Sequence, residues 1–211
     1  IVWDAGQSNV VSADDGAKGY IIARSSDKYG RVIAFAFPGD PPATSGSELF
    51  VEPAMLDQSA NFMLLTDGLA YPTYYWTLFA ELRNHLTARV VQARAQRIGI
   101  HAVDVTTAGF DVPDMGALTD RHVIMPKLFR RASTHLAGTG SIAGLKDMLA
   151  ISNEPVLDLR TANFTHFDTF VEEDGDRLRL TRLPEELVFD PMPERPGGEF
   201  NILVNNSSSI L

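Results

Sequence analysis

Residues 18–37, KGYIIARSSDKYGRVIAFAF, carry the clearest structural signal in this sequence. Two apolar runs, residues 19–23 and 31–37, are rich in β-branched and aromatic side chains and flank a polar segment at residues 25–30. The polar segment contains an aspartate and a glycine, which suit the backbone of a tight turn. Two such runs separated by a turn predict a β-hairpin.

Helical patterns follow the hairpin after a loop rich in Pro and Gly. Apolar residues at three- and four-residue spacings predict one helix over residues 52–67. They predict a longer helix that has Thr73 as its N-cap and ends at Gly99. The longer helix carries four arginines opposite its apolar residues, a pattern typical of a solvent-exposed face. These are Arg83, Arg89, Arg94 and Arg97.

The composition changes about halfway along the chain. The later half predicts helices over residues 120–137 and 141–150 and a second hairpin over residues 164–180. We therefore expect a first unit at residues 1–110 and a mixed α/β extension at residues 111–211. The first helix of the extension carries a basic cluster, Lys127, Arg130 and Arg131.

The charge of the chain limits the ways in which it can bind nucleic acid. Its 211 residues contain 18 basic and 27 acidic side chains, which gives a net charge of −9 and a pI near 4.9. Proteins that bind nucleic acid without sequence preference are usually basic, because Lys and Arg displace the counterions of the phosphates. Any phosphate binding by this chain must therefore depend on a local concentration of positive charge.

Several kinds of site and segment are excluded by composition. Cysteine is absent, which excludes disulfides and thiolate metal sites. The five histidines show none of the spacings typical of metal ligands. No apolar run is long enough to predict a membrane span, so we expect no membrane as a partner.

Three short motifs of the first half occur in one order. They are DKYGR at residues 27–31, LTDGLA at residues 65–70 and GI at residues 99–100, with aromatic residues following the second motif. In this order and at these distances they resemble the thermonuclease, or staphylococcal-nuclease-like (SNase-like), family. The resemblance extends from residue 18 to about residue 110.

The resemblance implies an α+β fold, a small OB-like β-barrel flanked by helices. Residues 1–110 would then form a partial barrel that lacks its early strands, and residues 111–211 an extension of unknown role. The strand at residues 18–24 would have an open edge, which exposes its backbone to pairing with other strands. We expect that edge to be covered by residues 1–11, by a partner chain or by a missing N-terminal segment.

The resemblance also implies an activity, the hydrolysis of phosphodiester bonds in DNA or RNA with a divalent cation, usually Ca²⁺. Arg31 matches an arginine that stabilises the charge developing on the phosphate in the transition state, a role that suits the planar guanidinium fork. We expect Arg31 to reach the same phosphate as a tyrosine after the second motif. The implied substrate-binding residues are Lys28 and Tyr29 in the turn, that tyrosine, Tyr74, and Trp76, which stands where the family usually has another tyrosine.

The metal ligands of the family have no counterpart in this sequence. By resemblance they come from strands well upstream of the turn arginine, yet the first glutamate here is Glu48. The aspartates before the turn, Asp4, Asp14 and Asp15, match none of the ligand positions. We assign no metal ligand and expect the chain alone to be inactive.

Three interpretations remain open from the sequence. The chain is the later part of a longer metal-dependent nuclease, or a non-catalytic module that binds nucleic acid or protein on a degenerate SNase-like scaffold, or an unrelated α+β protein. The residues also have ordinary structural roles: Arg31 can pair with Asp27 across the turn, and the aromatic residues from Tyr71 to Trp76 can pack in the core.

Overall fold

A computed structural model of the chain describes residues 2–6, 9–12, 16–27 and 30–190. The described residues form six α-helices: α1 (Pro53–Leu56), α2 (Ala60–Thr66), α3 (Ala80–Ala95), α4 (Met115–Asp120), α5 (Pro126–Thr139) and α6 (Leu145–Ser152). They form eleven strands: β1 (Val2–Trp3), β2 (Val10–Ser12), β3 (Gly19–Ser26), β4 (Val32–Pro38), β5 (Tyr74–Tyr75), β6 (Phe110–Asp111), β7 (Pro155–Asp158), β8 (Asn163–His166), β9 (Val171–Asp174), β10 (Arg177–Leu180) and β11 (Leu187–Phe189). Short 3₁₀ helices occupy Gly99–Ala102, Phe167–Phe170 and Pro184–Glu186. The fold class is α+β, as the sequence predicts.

The first hairpin is confirmed. Strands β3 and β4 pair antiparallel from Gly19 opposite Pro38 to Ser26 opposite Val32, with a β-bulge in β3. The backbone N–H of Gly30 donates to the carbonyl of Asp27 at 2.9 Å, and Gly30 has a φ of 79°. Glycine adopts this left-handed conformation without the steric cost that a side chain brings, which explains its place in the turn.

None of the described strands closes into a barrel. The sheets are β1-β2, β3-β4, β6-β10-β9 and β5-β11-β7-β8, so the partial OB-like barrel is not confirmed. Among the described residues, the N-terminal strands pair with each other and not with β3. The structure therefore does not show residues 1–11 as the cover of this edge, and a partner chain or a missing segment stays a prediction. A two-residue strand such as β1 satisfies few backbone groups, and its short antiparallel partner lies next to it in the sequence.

The predicted helix over residues 52–67 is two helices, α1 and α2. Ser59 separates them, because its hydroxyl accepts a hydrogen bond from the N–H of Phe62 at 3.1 Å and donates one to the carbonyl of Leu56 at 2.7 Å. The first bond caps the start of α2, and the second satisfies a carbonyl at the end of α1. The apolar periodicity continues across this break, so periodicity alone did not detect it.

The long helix begins later than the sequence predicts. Helix α3 starts at Ala80, with Phe79 as its N-cap, so the assignment of Thr73 as the cap is wrong. The intervening Tyr74–Tyr75 pair lies in β5, parallel to Val188–Phe189 of β11. Pairing with a strand more than 110 residues away fixes this segment as extended, and local patterning does not reveal that pairing.

The later half differs from its predictions in element bounds. The helix predicted over residues 120–137 is α5, which begins six residues later than predicted, at Pro126, where the missing N–H of proline is not needed. Strands β9 and β10 confirm the later part of the second hairpin. Its predicted first part, β8, pairs with β7 instead.

Two hydrophobic cores hold these elements together. The first packs the β3-β4 hairpin against α2 and α3 and includes Val188 of β11. The second lies among α4, α5, α6 and the later strands and includes Phe110. The four-stranded sheet joins the two parts of the chain, since β5 pairs with β11. None of the described helices has the length and apolar character needed to cross a membrane.

The second and third sequence motifs meet in the structure. Gly68 ends α2 with a φ of 62°, and its carbonyl accepts a hydrogen bond from the N–H of Ile100 at 2.8 Å. A methyl group on Gly68 would overlap the backbone of Ile98, and one on Gly99 would overlap the backbone of Gly68. Both motifs therefore contain glycine because the two backbones touch.

This contact predicts a large cost for Gly68→Ala. Alanine would meet both the left-handed backbone and the carbonyl of Ile98, so we expect the free energy of unfolding to fall by roughly 3 kcal/mol. Gly46→Ala is the matched control, because Gly46 also has a positive φ but no atom within 4 Å of an added methyl group. It should cost about 1–2 kcal/mol. Equal losses in urea denaturation would show that the close contact contributes nothing.

Candidate functional site

Arg31 lies at the end of the hairpin turn, paired with Asp27. Its Nε donates to Asp27 Oδ2 at 2.6 Å, and its backbone N–H donates to Asp27 Oδ1 at 2.9 Å. The Arg31 side chain is 66% exposed, whereas that of Asp27 is 15% exposed. The pair is therefore only half-exposed, because the cation reaches solvent while the carboxylate is mostly buried. An anion from solvent can approach the guanidinium while Asp27 keeps its partner. Lys28 and Tyr29 lie outside the described residues.

Two contacts fix the turn end of the hairpin beside the segment that follows β5. The hydroxyls of Ser25 and Thr77 are hydrogen-bonded at 3.0 Å. The guanidinium carbon of Arg24 lies 4.1 Å from the ring centroid of Phe79, within the range of a cation–π contact. The turn that carries Arg31 is thereby held close to the aromatic residues of β5.

Tyr74 is part of the first core. It is 2% exposed, and its hydroxyl is hydrogen-bonded to that of Thr87 at 2.9 Å. Burial raises the pKa of Tyr74 to about 12. Its hydroxyl is thus held by α3, the packing role that the sequence left open for the aromatic residues. A shared phosphate between Arg31 and Tyr74 stays a prediction.

Tyr75 is the tyrosine that shares an electrostatic environment with the turn. Successive strand residues point to opposite sides, so Tyr75 faces away from the core that holds Tyr74 and is half-buried. Burial raises the pKa of Tyr75, and the nearby charges of Arg130 and Arg31 lower it while Glu154 and Asp27 raise it. From the sequence, Tyr75 was placed only among the aromatic residues from Tyr71 to Trp76, without a separate role. Its alternation with Tyr74 is the feature that could have shown that the two rings face opposite sides.

The basic cluster of α5 is organised around Glu154. Lys127 Nζ lies 2.7 Å from Glu154 Oε1, and Arg131 Nη2 lies 2.8 Å from Glu154 Oε2. Burial alone would raise the pKa of Glu154, but the two cations hold it below its usual range. Glu154 therefore remains ionised and fixes the orientation of this face of α5. We call Arg31, Tyr75, Lys127, Arg130 and Arg131 together the Tyr75 surface.

Trp76 follows Tyr75 and is half-buried. Its Nε1 donates to the carbonyl of Val188 at 3.4 Å, and its ring meets Phe164 edge to face at 5.4 Å between centroids. Phe164 is 46% exposed. The pair therefore lies partly at the surface, and stacking of a base on Trp76 stays a prediction.

The described residues do not fit a metal site. They contain no group of three or more His, Asp or Glu side chains placed to hold a metal ion. Of the early aspartates, Asp4 is described and hydrogen-bonds Asn9 at 2.8 Å, while Asp14 and Asp15 lie outside the described residues.

The arginine face of α3 is not uniformly exposed, contrary to its pattern. Arg94 forms ion pairs with Asp104 at 3.0 Å and with Glu185 at 2.9 Å, and both carboxylates are almost completely buried. The imidazole of His101 is buried nearby, and burial followed by the charge of Arg94 lowers its pKa. This cluster links α3 to the later half of the chain.

Comparison with protein-family models, with curated proteins and with solved structures found no match to this chain.

Proposed function

We propose that this chain is the phosphate-binding part of a nuclease of the SNase-like type that hydrolyses phosphodiester bonds in DNA or RNA. The observation that carries the proposal is the exposed Arg31 guanidinium, which the hairpin turn contributes to the Tyr75 surface. Arg31 is the residue for which the resemblance implies contact with the phosphate. A guanidinium fork can bind two phosphate oxygens at once and stabilise the charge that develops on them.

The local charge supports this proposal. The cations of the Tyr75 surface are Arg31, Lys127, Arg130 and Arg131, and their ion-pair partners are the carboxylates Asp27 and Glu154. These six groups together carry a charge of +2 in a chain whose net charge is −9. Positive charge concentrated at one surface is what phosphate binding by an acidic protein requires.

The open hairpin edge supports the SNase-like assignment. Among the described residues β3 pairs with β4 alone, and Ile21 of β3 is 61% exposed. A groove of about 1390 Å³ lies between the hairpin and α3 and is lined by apolar side chains that include Ile22, Phe35 and Leu82. In the proposal, strands from a partner chain or from residues outside this sequence pair with β3 and complete the barrel. The proposal places the Ca²⁺ ligands outside this sequence as well, and the chain itself contributes the contacts to phosphate.

A non-catalytic binding module is the second candidate. The observations that favour it are the ion pair of Arg31 with Asp27 and the hydrogen bond of Tyr74 with Thr87, since both occupy groups assigned to the substrate. Such a module would bind single-stranded nucleic acid or a protein through the same surface. It would not hydrolyse nucleic acid, so Arg31 would have no catalytic role.

Binding of a short, fluorescently labelled single-stranded oligodeoxynucleotide tests the proposal. Arg31→Ala should weaken binding about tenfold, because it removes charge-assisted hydrogen bonds to phosphate. It should also reduce the slope of log K against log salt concentration by about 0.7, the value for one phosphate contact on a single strand. Fluorescence anisotropy at several salt concentrations measures both quantities.

Arg177→Ala is the matched control for this experiment. Arg177 is half-exposed and forms a comparable surface ion pair, with Asp111 at 3.3 Å, on a different sheet. Its loss changes the net charge by the same amount and should leave binding nearly unchanged. Equal weakening by the two variants would indicate a general effect of charge, and absence of binding by the unmodified chain would contradict the proposal.

A further inference from the structure

The start of helix α5 lies beside Tyr75 of strand β5, the strand that the hairpin turn also approaches. Lys127 Nζ is 6.0 Å from the ring centroid of Tyr75 and 3.9 Å from that of Phe189. Phe189 belongs to β11, and it is the register partner of Tyr75 in the parallel β5-β11 pair. Tyr75 therefore has the start of α5, which belongs to residues 111–211, as one neighbour and the hairpin turn, which belongs to the first half of the chain, as another.

Arg130 is the exposed basic residue of this helix face. Its neighbours Lys127 and Arg131 are both paired with Glu154, and Lys127 is almost completely buried. Arg130 is exposed, and within the part of the chain that the structure describes it forms neither a hydrogen bond nor an ion pair. The Glu154 pairs hold the helix in place and leave Arg130 available to an external anion.

We infer that Arg130 is a second phosphate-contacting arginine, which binds a phosphate of a single-stranded nucleic acid while Arg31 binds a neighbouring one across Tyr75. This inference rests on the proposed function, because it takes the turn at Arg31 as the first phosphate site. It gives residues 111–211 a part in the substrate site, a role that the resemblance does not supply.

The chemistry of the two arginines supports this arrangement. Both are exposed guanidinium groups: Arg31 is paired with Asp27 at the end of the hairpin turn, and Arg130 lies on a helix held by two ion pairs. Contacts that restrain a binding group before it binds limit the entropy lost on binding. The half-buried ring of Tyr75 lies beside this helix, 6.0 Å from Lys127 Nζ.

The test compares Arg130→Ala with Arg121→Ala in the same oligonucleotide titration. Arg121 is also exposed and without an ion pair among the described residues, but it lies at the end of α4 and does not act on Tyr75. Arg130→Ala should weaken binding about tenfold and reduce the salt slope by about 0.7, whereas Arg121→Ala should change neither appreciably. Arg130 is exposed and forms no ion pair among the described residues, so the thermal unfolding midpoint of the Arg130→Ala variant should equal that of the unmodified chain.

The variants separate failure of this inference from failure of the proposed function. If Arg31→Ala weakens binding and Arg130→Ala behaves like Arg121→Ala, the inference is wrong and the proposed function stands. If Arg31→Ala has no effect, the proposed function fails, and the inference fails with it whatever Arg130→Ala does. Weakening by both, with salt slopes that fall further in the double variant, supports two separate phosphate contacts.

Discussion

Arg94→Met is expected to lower the free energy of unfolding by about 3–5 kcal/mol, as is typical when one partner of a buried ion pair is removed. Arg94 faces Asp104 and Glu185, whose side chains are only 5% and 3% exposed. Methionine retains much of the aliphatic stem, so the packing of α3 is largely preserved. The two carboxylates, however, remain buried without a cation.

Arg89→Met serves as the control for Arg94→Met. Arg89 lies on the same helix, donates to the side chain of Gln92 at 3.2 Å and has no carboxylate partner among the described residues. Its replacement should cost within about 0.5 kcal/mol. Similar losses for the two arginines would contradict the role assigned to the buried pairs.

Arg31→Lys is expected to reduce turnover roughly 10²- to 10³-fold in the proposed nuclease. Lysine keeps the positive charge but loses the planar fork that contacts two oxygens of the developing charge. The affinity for substrate should change far less, because the lost contact strengthens in the transition state. Steady-state hydrolysis of single-stranded DNA, together with a separate measurement of substrate binding, distinguishes the two effects.

Arg121→Lys provides the matched substitution for that assay, because it makes the same chemical change at an exposed position away from Tyr75. Turnover that is unchanged by Arg31→Lys would leave the ion pair with Asp27 as the function of this residue. The non-catalytic module would then be the better account of the chain.

The hairpin could be predicted from the sequence because its determinants are local. Asp27 and Gly30 close the turn through contacts within four residues, and the alternating runs on either side form the strands. The same holds for the glycine motifs, where Gly68 marks the end of a helix correctly. That Gly68 touches Gly99 required the fold, because α3 must first return the chain to the same place.

The elements that were mispredicted depend on distant partners. Tyr74 and Tyr75 are extended because they pair with β11, and the face on which Arg94 lies is half-buried because Glu185 approaches it from 91 residues away. The break at Ser59 reflects a side chain that competes with the helix backbone, a signal that apolar periodicity does not contain.

The candidate site depends on contacts that local patterns do not contain. Arg31 was assigned by resemblance and the basic residues of α5 were noted only as a cluster, but their common neighbour, Tyr75, is defined by a sheet that joins the two halves of the chain. Tyr74 was chosen by resemblance, and the structure places it in the core, with its hydroxyl held by Thr87.

An NMR titration of the isotope-labelled chain with a single-stranded oligodeoxynucleotide tests the phosphate-binding assignment directly. If phosphate binds at the Tyr75 surface, one set of amide resonances should shift together and saturate at one oligonucleotide concentration. This set comprises the amides of the turn at residues 27–31, of Tyr75 and of the first turns of α5. The side-chain Nε–Hε resonance of Arg31 should move with them as phosphate approaches the guanidinium that is paired with Asp27. Shifts confined to other surfaces, or none at saturating oligonucleotide, would contradict the account.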